Sequence, residues 1–205
     1  MNTAALSLAS FQPEAKTNYR SMMGSGKTFS FSNPLPEDVD VNDIAHSLVR
    51  IPRWNGHMKH YSHWSVLHHS LMVYYLLKHF YPESPFLLEA LLHDASEAYT
   101  GDMPGPLKKL IREAYKPIEH QIEKVIAIHC RAQWPWAPVI KEMDLLSQDI
   151  EGFMGFDVII PDLNVRKGFV FEEWHKELWD HILKTGTVEN YLALVTEEMD
   201  KRKNS

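Results

Sequence analysis

The sequence is poor in cysteine and has no long hydrophobic run. Its one cysteine, Cys130, cannot form a disulfide within the chain, which is typical of a protein from a reducing compartment. One thiol is also too few for a thiolate metal site, so any metal would be held by nitrogen and oxygen ligands. No apolar stretch approaches the roughly 18 residues of a membrane-spanning helix, and we expect no membrane partner.

Basic residues and a targeting pattern are also scarce. With 21 Lys and Arg against 27 Asp and Glu, the formal net charge is −6, which argues against nucleic acid or an anionic membrane as the main partner. An anionic small molecule is compatible with this charge, because a site can be locally positive inside an acidic protein. The first ten residues have no basic segment ahead of the apolar ones, so we expect no secretory signal and a cytoplasmic protein.

Helical periodicity dominates most of the chain. Residues 1–23 show no periodicity, and we expect a flexible tail there, followed by one domain over residues 24–205. Residues 28–32 alternate and predict a short strand. Asn42 is the expected cap of the first helix, and Pro117 is expected in the first turn of the fifth. The sequence thus predicts an all-α bundle with a short extended N-terminal segment. Helices are expected at residues 43–51, 64–80, 85–99, 104–113, 118–131, 138–153, 171–183 and 188–201.

The segment around His93 and Asp94 is richer in chemically useful side chains than any other. An apolar run precedes these two residues, Glu97 follows on the same helical face as His93, and Asp102 comes just after a glycine. Carboxylates are costly to bury alone, so a metal ion or another cation is the expected partner. The His-Asp pair by itself is weak evidence, because a chain with 12 histidines contains about one such pair by chance.

Two further residues could complete a metal site. His69 lies on the apolar face of the helix expected at residues 64–80, and Asp144 lies within the apolar stripe of a later helix. Taken singly, each has an ordinary explanation: a histidine on such a face is usually a hydrogen-bonded core residue, and Asp144 could pair with Lys141 or Arg131. The coincidence of four inward donors on separate helices favours a divalent metal site with open positions. Its ligands would be His69, His93, Asp94 and Asp144.

Several segments around these residues form a recognisable pattern. They are residues 52–56 (Pro-Arg-Trp-Asn-Gly), 65–70 (Ser-Val-Leu-His-His-Ser), 92–97 (Leu-His-Asp-Ala-Ser-Glu) and 100–104 (Thr-Gly-Asp-Met-Pro). Together with the later Asp144, the pattern resembles the HD superfamily of metal-dependent phosphohydrolases and is close to its 5′-deoxynucleotidase-like branch. Residues 25–48 are similar to phage and prophage members, some of which are dATP triphosphohydrolases. The resemblance covers roughly residues 24 to 155.

The resemblance implies an all-helical fold and a role for each matching residue. It implies a divalent cofactor (Mn, Co, Zn, Fe or Mg) bound by the four ligands named above. It also implies catalytic help from Glu97 and Asp102 and substrate binding by Arg53 and Trp54. The family usually has one histidine where this chain has His68-His69, and we take His69, directly before a serine, as the ligand.

The chemistry of these residues agrees with the implied roles. The planar fork of Arg53 suits phosphate oxygens, although the residue type alone would suggest a surface ion pair. Trp54 alone would suggest a core or lid residue. Glu97 would orient a water molecule or move its proton, while Arg53, with Lys108 or Lys109, would offset the charge of the substrate.

The expected function is hydrolysis of a deoxynucleotide at its α-phosphorus. The motif does not decide between a 5′-deoxynucleotidase and a dNTP triphosphohydrolase, because both reactions attack the same phosphorus. The alternative is a non-catalytic nucleotide sensor or interaction module on the same scaffold. As partners we expect a small-molecule nucleotide and further copies of this chain in a homo-oligomer, with no nucleic acid.

Residues 24–28, Gly-Ser-Gly-Lys-Thr, invite comparison with a phosphate-binding P-loop. That motif requires a glycine five residues before Gly26, where this chain has Ser21. The lysine of a P-loop also opens a helix, whereas the residues that follow Lys27 alternate as in a strand. We therefore expect a loop that leads into a strand.

Overall fold

The fold is mostly helical, as the sequence predicts, and it includes a two-stranded sheet. The computed structural model describes residues 19–61, 63–156 and 169–203. None of the helices within these ranges is both long enough and apolar enough to cross a membrane. The helices are α1 (Val41–Leu48), α2 (Val66–Phe80), α3 (Leu87–Leu92), α4 (Glu97–Thr100), α5 (Gly105–Leu110), α6 (Arg112–Cys130), α7 (Pro138–Phe156), α8 (Glu173–Thr185) and α9 (Val188–Lys203).

The sheet is an antiparallel hairpin of β1 (Arg20–Met22) and β2 (Thr28–Ser30). Its turn places Gly26 at a φ of 84°, which favours glycine, so the Gly-Ser-Gly-Lys segment is a hairpin loop and the strand expected after it is confirmed. β1 falls within residues 1–23, where the sequence predicts a flexible tail. Pairing with β2 ties this part of the segment to the fold, while residues 1–18 lie outside the described residues.

Helix α2 is the centre of the fold. Eleven of its 15 residues are buried, and it packs against α3, α7 and α8. A helix buried on nearly all sides belongs to the core, in contrast to an amphipathic surface helix. Its N-cap is Ser65, which exchanges hydrogen bonds with His68 in a capping box. Because His69 lies in the first turns of this helix, its imidazole is placed inside the molecule, with no exposed surface.

The helix expected at residues 85–99 is broken in the structure. After α3 ends at Leu92, the chain makes a tight turn with i→i+3 hydrogen bonds, such as Ala95 N to Leu92 O (2.9 Å) and Glu97 N to Asp94 O (3.0 Å), before α4 begins. The sequence-based expectation of one continuous helix is therefore wrong. Since a 3₁₀-like turn holds three residues where an α-helix holds 3.6, it changes the directions in which His93 and Asp94 project.

Two helix boundaries also differ from expectation. The cap of α1 is Asp40, whose Oδ1 accepts from Asn42 N at 3.0 Å, so Asn42 already lies inside the helix. Helix α6 begins at Arg112, which places Pro117 inside the helix and beyond the first turn where it was expected. A proline removes only one backbone donor, and periodic burial further along can maintain the helix across it.

The loop between α1 and α2 is closed at its base by backbone hydrogen bonds. Arg53 N donates to Trp64 O (2.8 Å) and Val66 N donates to Ile51 O (3.0 Å). Immediately after this closure, Trp54 and Asn55 adopt left-handed backbone angles, with φ of 55° and 50°. Such angles are unfavourable for residues with a side chain and persist only where surrounding contacts hold them. The closure places this strained turn beside the start of α2.

Candidate metal centre

Three separate segments bring four potential metal ligands to one point. His69 comes from α2, His93 and Asp94 from the turn between α3 and α4, and Asp144 from α7. His69 Nε2 lies 3.3 Å from His93 Nε2, 3.3 Å from Asp94 Oδ2 and 3.2 Å from Asp144 Oδ1. His93 Nε2 also lies 3.3 Å from Asp94 Oδ2. We call these four residues the His/Asp cluster; they are the four that the sequence predicts as ligands.

Hydrogen bonds on the far side of both imidazoles set their tautomers. His93 Nδ1 lies 2.8 Å from the carbonyl oxygen of Ala90, which can only accept, so this nitrogen carries the hydrogen. His69 Nδ1 donates in the same way to the carboxylate of Glu151 at 2.7 Å. In the neutral rings each Nε2 therefore presents a lone pair to the other. Two such lone pairs beside two carboxylate oxygens repel one another unless a cation lies among them.

The spacing and chemistry of the donors fit a divalent metal ion. Nitrogen and oxygen ligands bind such ions at roughly 2.0–2.2 Å, so neighbouring donors around a tetrahedral or octahedral ion are about 2.9–3.5 Å apart. The donor atoms of His69, His93 and Asp144 all lie within 4.8 Å of one another, and all three residues are buried. Two imidazoles with two carboxylates suit manganese, iron, cobalt or zinc. This group could therefore hold a metal ion.

The electrostatics of the cluster also call for a positive charge at its centre. Burial, with the nearby Arg53, opposes protonation of His69, but the carboxylates of Glu151, Asp144 and Asp94 outweigh both and raise its pKa well above the ordinary value. Burial would raise the pKa of Asp94, yet the histidines hold it well below its usual range. A proton on His69 and a bound metal are thus competing ways of balancing the same negative charge.

His68 is not part of the cluster. Its Nδ1 lies 2.6 Å from the hydroxyl of Ser65, and its ring stacks on Trp64 with centroids 5.1 Å apart. Burial, with a contribution from His63, lowers its pKa to about 4, so it is a neutral core residue. Of the two adjacent histidines, the structure therefore places His69, the one chosen from the sequence, among the candidate ligands.

Asp144 combines the two roles that its sequence position suggested. One carboxylate oxygen, Oδ1, faces His69, while the other, Oδ2, pairs with Lys141 at 2.5 Å. Gln148 also donates to Oδ1, at 2.7 Å. The ion pair to Lys141 orients the carboxylate and does not turn it away from the cluster.

Glu97 lies close to the cluster and is almost completely buried. One oxygen, Oε1, accepts from Lys108 at 3.0 Å, whereas the buried Oε2 has no hydrogen-bond partner among the described residues. Burial, with the negative charges of Asp94 and Asp102, raises the pKa of Glu97 well above its ordinary value. An unpartnered buried carboxyl oxygen with a raised pKa is typical of a proton-transfer group. Lys108 also pairs with Glu119 at 3.2 Å, so it is anchored by carboxylates and does not project freely towards a substrate.

Arg53 and Asp102 pair with each other at the edge of the cluster. Arg53 Nη1 donates to Asp102 Oδ2 at 3.1 Å, and Arg53 Nη2 lies 3.4 Å from Glu151. Burial would lower the pKa of Arg53, but the carboxylates of Glu151 and Asp102 raise it, so the guanidinium stays charged. Its buried Nε has no hydrogen-bond partner within the part of the chain that the structure describes. This arginine is therefore not the surface ion pair that its residue type alone suggests.

Trp54 lies next to Arg53 and is only partly buried. Its indole Nε1 donates to Glu151 at 2.8 Å, and its ring meets Phe156 edge-on with centroids 5.5 Å apart. One side of the indole is thus anchored while the remainder stays accessible to a ligand. This arrangement is compatible with both the lid and the substrate-contact roles considered from the sequence.

Glu151 is the site residue that the sequence analysis missed. It has no exposed surface, and its two oxygens contact His69, Arg53 and Trp54. The spacing in the sequence could have revealed it. Asp144 and Glu151 are seven residues apart and hence share one face of α7, with Ser147 between them. An acidic residue two turns after a proposed ligand, on the same apolar face, should have been counted with it.

Comparisons with known proteins give relatives whose names state no activity. The uncharacterized protein YfdR of Escherichia coli (strain K12) is 42% identical over 102 residues, which are 50% of this chain and 53% of the relative. The chain thus spans about half the length of that relative. The uncharacterized protein RCAP_rcc00048 of Rhodobacter capsulatus is 36% identical over 137 residues, which are 63% of this chain and 69% of the relative. No protein-family model matches the chain.

Proposed function

We propose that this chain, which belongs to the same protein family as the Rhodobacter capsulatus relative, is a divalent-metal-dependent phosphohydrolase that acts on deoxynucleotides at the α-phosphorus. The observation that supports this most strongly is the His/Asp cluster, with four donor atoms 3.2–3.3 Å from their neighbours and both imidazole lone pairs facing inward. The resemblance of the surrounding motifs to the HD superfamily supplies the reaction class.

The residues around the cluster have the chemistry that such a reaction needs. When bound, a divalent cation supplies charge that polarises a phosphate oxygen and makes water more acidic. Arg53, permanently charged and with N–H groups beyond those that bond Asp102 and Glu151, would bind a phosphate oxygen. Glu97 would orient the attacking water and move its proton, while Lys108 holds the other oxygen of this carboxyl in place.

The proposed reaction breaks one bond in either substrate. A water oxygen bonds to the α-phosphorus, the bond from that phosphorus to the 5′-oxygen breaks, and the 5′-oxygen takes up a proton. A deoxynucleoside monophosphate would give a deoxynucleoside and phosphate, and a deoxynucleoside triphosphate would give a deoxynucleoside and tripolyphosphate. The same residues could serve both reactions, and the length of the phosphate chain that the site accepts decides between them.

A panel of deoxynucleoside mono- and triphosphates tests this proposal. The purified chain is incubated with each in Mn²⁺, Co²⁺ or Mg²⁺, and release of phosphate, tripolyphosphate and deoxynucleoside is measured. We expect turnover with at least one substrate, loss of turnover in EDTA, and loss in Asp94→Ala. Nucleotide binding without turnover under any of these metals would refute the enzyme assignment and favour the alternative of a non-catalytic sensor.

Substitution of Glu97 separates proton transfer from metal binding. We expect Glu97→Gln to lower turnover roughly 10²- to 10⁴-fold, the range that general acid–base groups contribute, while it leaves the metal content unchanged. His93→Ala should remove metal and activity together, because its Nε2 is one of the four donors. Metal content is measured by atomic emission after dialysis. Equal metal loss in the two variants would contradict a separate role for Glu97.

A further inference from the structure

The contacts of Glu151 link the two halves of the candidate site. On one side its Oε1 accepts the Nδ1–H of His69 at 2.7 Å. On the other side its Oε2 accepts from Trp54 Nε1 at 2.8 Å and lies 3.4 Å from Arg53 Nη2. The carboxylate is fully buried, so both sets of hydrogen bonds form away from competing water. Glu151 thus bonds both a member of the His/Asp cluster and the 53–54 turn.

The contact to His69 affects how that imidazole binds a cation. A carboxylate that accepts the far N–H of a ligating histidine fixes its tautomer, holds the ring in orientation and makes the other nitrogen a stronger donor. Ser147 supports the arrangement, since its hydroxyl lies 3.1 Å from the same His69 nitrogen and 3.3 Å from Glu151. Glu151 would therefore act on a bound metal through His69.

The contacts to Arg53 and Trp54 explain how a strained turn persists. Both Trp54 and Asn55 have left-handed backbone angles, which are unfavourable for residues with a side chain. The indole hydrogen bond to Glu151 and the ion pair of Arg53 with the same carboxylate hold the turn against α7. Without them the turn would be free to relax towards more ordinary angles.

We infer that Glu151 is a positioning residue that orients the metal-ligating His69 and, through the same carboxylate, fixes the Arg53–Trp54 turn that faces the substrate. The identity of the substrate that this turn would face rests on the proposed function. The effects of Glu151 on metal affinity and on the Trp54 hydrogen bond can both be measured without substrate. The site then includes, besides the metal ligands and the proton-transfer group, a residue that orients His69 and the 53–54 turn.

Glu151→Gln tests the inference with little change in size. The amide weakens both contacts, because its neutral oxygen accepts more weakly than a carboxylate oxygen and its NH₂ end meets another donor on the opposite side. Glu177→Gln on α8 is the matched control, since it removes the same charge from an exposed position. Affinity for Mn²⁺ is measured by titration calorimetry without nucleotide. We expect a loss of roughly 10- to 100-fold for Glu151→Gln and no change for Glu177→Gln.

The indole N–H of Trp54 reports on the other contact. Its signal in a ¹H–¹⁵N correlation spectrum is identified by its disappearance in Trp54→Phe. In metal-free Glu151→Gln we expect this signal to move upfield and its hydrogen to exchange faster with solvent, while the other indole signals stay in place. The affinity of Trp54→Phe for Mn²⁺ should be within twofold of that of the original chain, because His69 keeps its hydrogen bond to Glu151.

The outcomes that overturn the inference are distinct from failure of the proposed function. Wild-type Mn²⁺ affinity, or an unchanged Trp54 signal, in a Glu151→Gln protein with normal helical circular dichroism would refute it. If Glu151→Gln does not fold, Glu151→Asp carries the same test, because the shorter side chain draws the carboxylate back and should weaken Mn²⁺ binding. Absence of nucleotide turnover in the original chain would refute the phosphohydrolase proposal and leave both measurements valid.

Discussion

Individual carboxylates of this protein differ in acidity because burial and neighbouring charges act on each one differently. Burial would raise the pKa of Glu151, but Arg53 and His69 outweigh it and lower the value to about 2. Glu123 on α6 has no such ion pair among the residues that the structure describes. Burial raises its pKa to about 6, opposed by a hydrogen bond from Trp134 and assisted by Glu119. Glu151 is therefore ionised at neutral pH with favourable partners, whereas Glu123 is ionised at a cost to stability.

The raised pKa of Glu123 predicts that its neutral analogue stabilises the protein at high pH. The folded pKa of about 6 lies about 1.5 units above the unfolded value of 4.5, so ionised Glu123 destabilises the folded state by about 2 kcal/mol. This destabilisation fades as the pH falls below roughly 4.5 and reaches its full size above the folded pKa of about 6. Glu123→Gln should therefore raise the free energy of unfolding by about 1–2 kcal/mol at pH 8. Near pH 4 it should change this energy little.

Urea unfolding of both proteins at pH 4, 6 and 8 checks the prediction. The amide can still accept the hydrogen bond that Trp134 Nε1 donates to Glu123, so packing is preserved. Glu113→Gln, at an exposed position on the same helix, is the control and should show no such dependence on pH. An equal effect of Glu123→Gln at all three values would contradict the explanation by ionisation.

At the scale of the elements, the beginning of α2 has the greatest consequence for the site. The first turns of this helix contain His69, and its N-terminus is capped by Ser65, whose hydroxyl contacts both the backbone and the ring of His68. The cap satisfies backbone donors that would otherwise be buried without partners. The break between α3 and α4 has a comparable effect, because it sets the directions of His93 and Asp94.

Removal of the cap is expected to destabilise α2. Ser65→Ala should lower the free energy of unfolding by about 1–2 kcal/mol, the range found when a capping serine is replaced, since both hydrogen bonds are buried. Ser84→Ala ahead of α3 is the control. The Ser84 hydroxyl accepts a bond from Phe86 N (3.3 Å) at a less buried site, whereas the Ser65 hydroxyl contacts both the N (3.4 Å) and the Nδ1 (2.6 Å) of His68. Thermal or urea unfolding measures both, and a smaller effect at Ser65 than at Ser84 would refute this account.

At the scale of the whole molecule, the His/Asp cluster joins segments that are far apart in sequence. Helix α2, the turn after α3 and helix α7 each supply at least one donor, and the loop closed by Arg53 and Trp64 lies beside them. A cation at the centre would therefore link three elements that otherwise meet through buried, mutually repelling groups. A cation that binds the folded chain and not the unfolded chain stabilises the folded state by mass action.

Metal binding is accordingly expected to raise the melting temperature. With free Mn²⁺ at about 100 times its dissociation constant, the stabilisation is about 2.7 kcal/mol, which corresponds to roughly 5–10 °C for a chain of this size. Differential scanning calorimetry with Mn²⁺ or EDTA measures the shift. Asp94→Ala should show almost none, whereas Glu177→Gln should keep it in full. A shift that survives in Asp94→Ala would place the metal elsewhere.

The sequence by itself determined the helical class of the fold, and it indicated the residues that proved to lie together. Periodic apolar residues specify which face of a helix is buried, and a histidine or carboxylate on that face, such as His69 or Asp144, needs a partner. This is why the four donors of the cluster could be named before any coordinates. The same reasoning applies to Glu151, which lies two helical turns after Asp144 on the same face of α7.

Only the tertiary structure decided how these residues meet. Periodicity gives a direction around a helix axis but not the distance between two helices, so it could not show that the donors lie 3.2–3.3 Å apart. Nor could it locate the tight turn that ends α3, because residues 93–96 follow a helical pattern and the break depends on packing. The sharing of Glu151 between His69 and the 53–54 turn arises from long-range contacts, which local sequence does not encode.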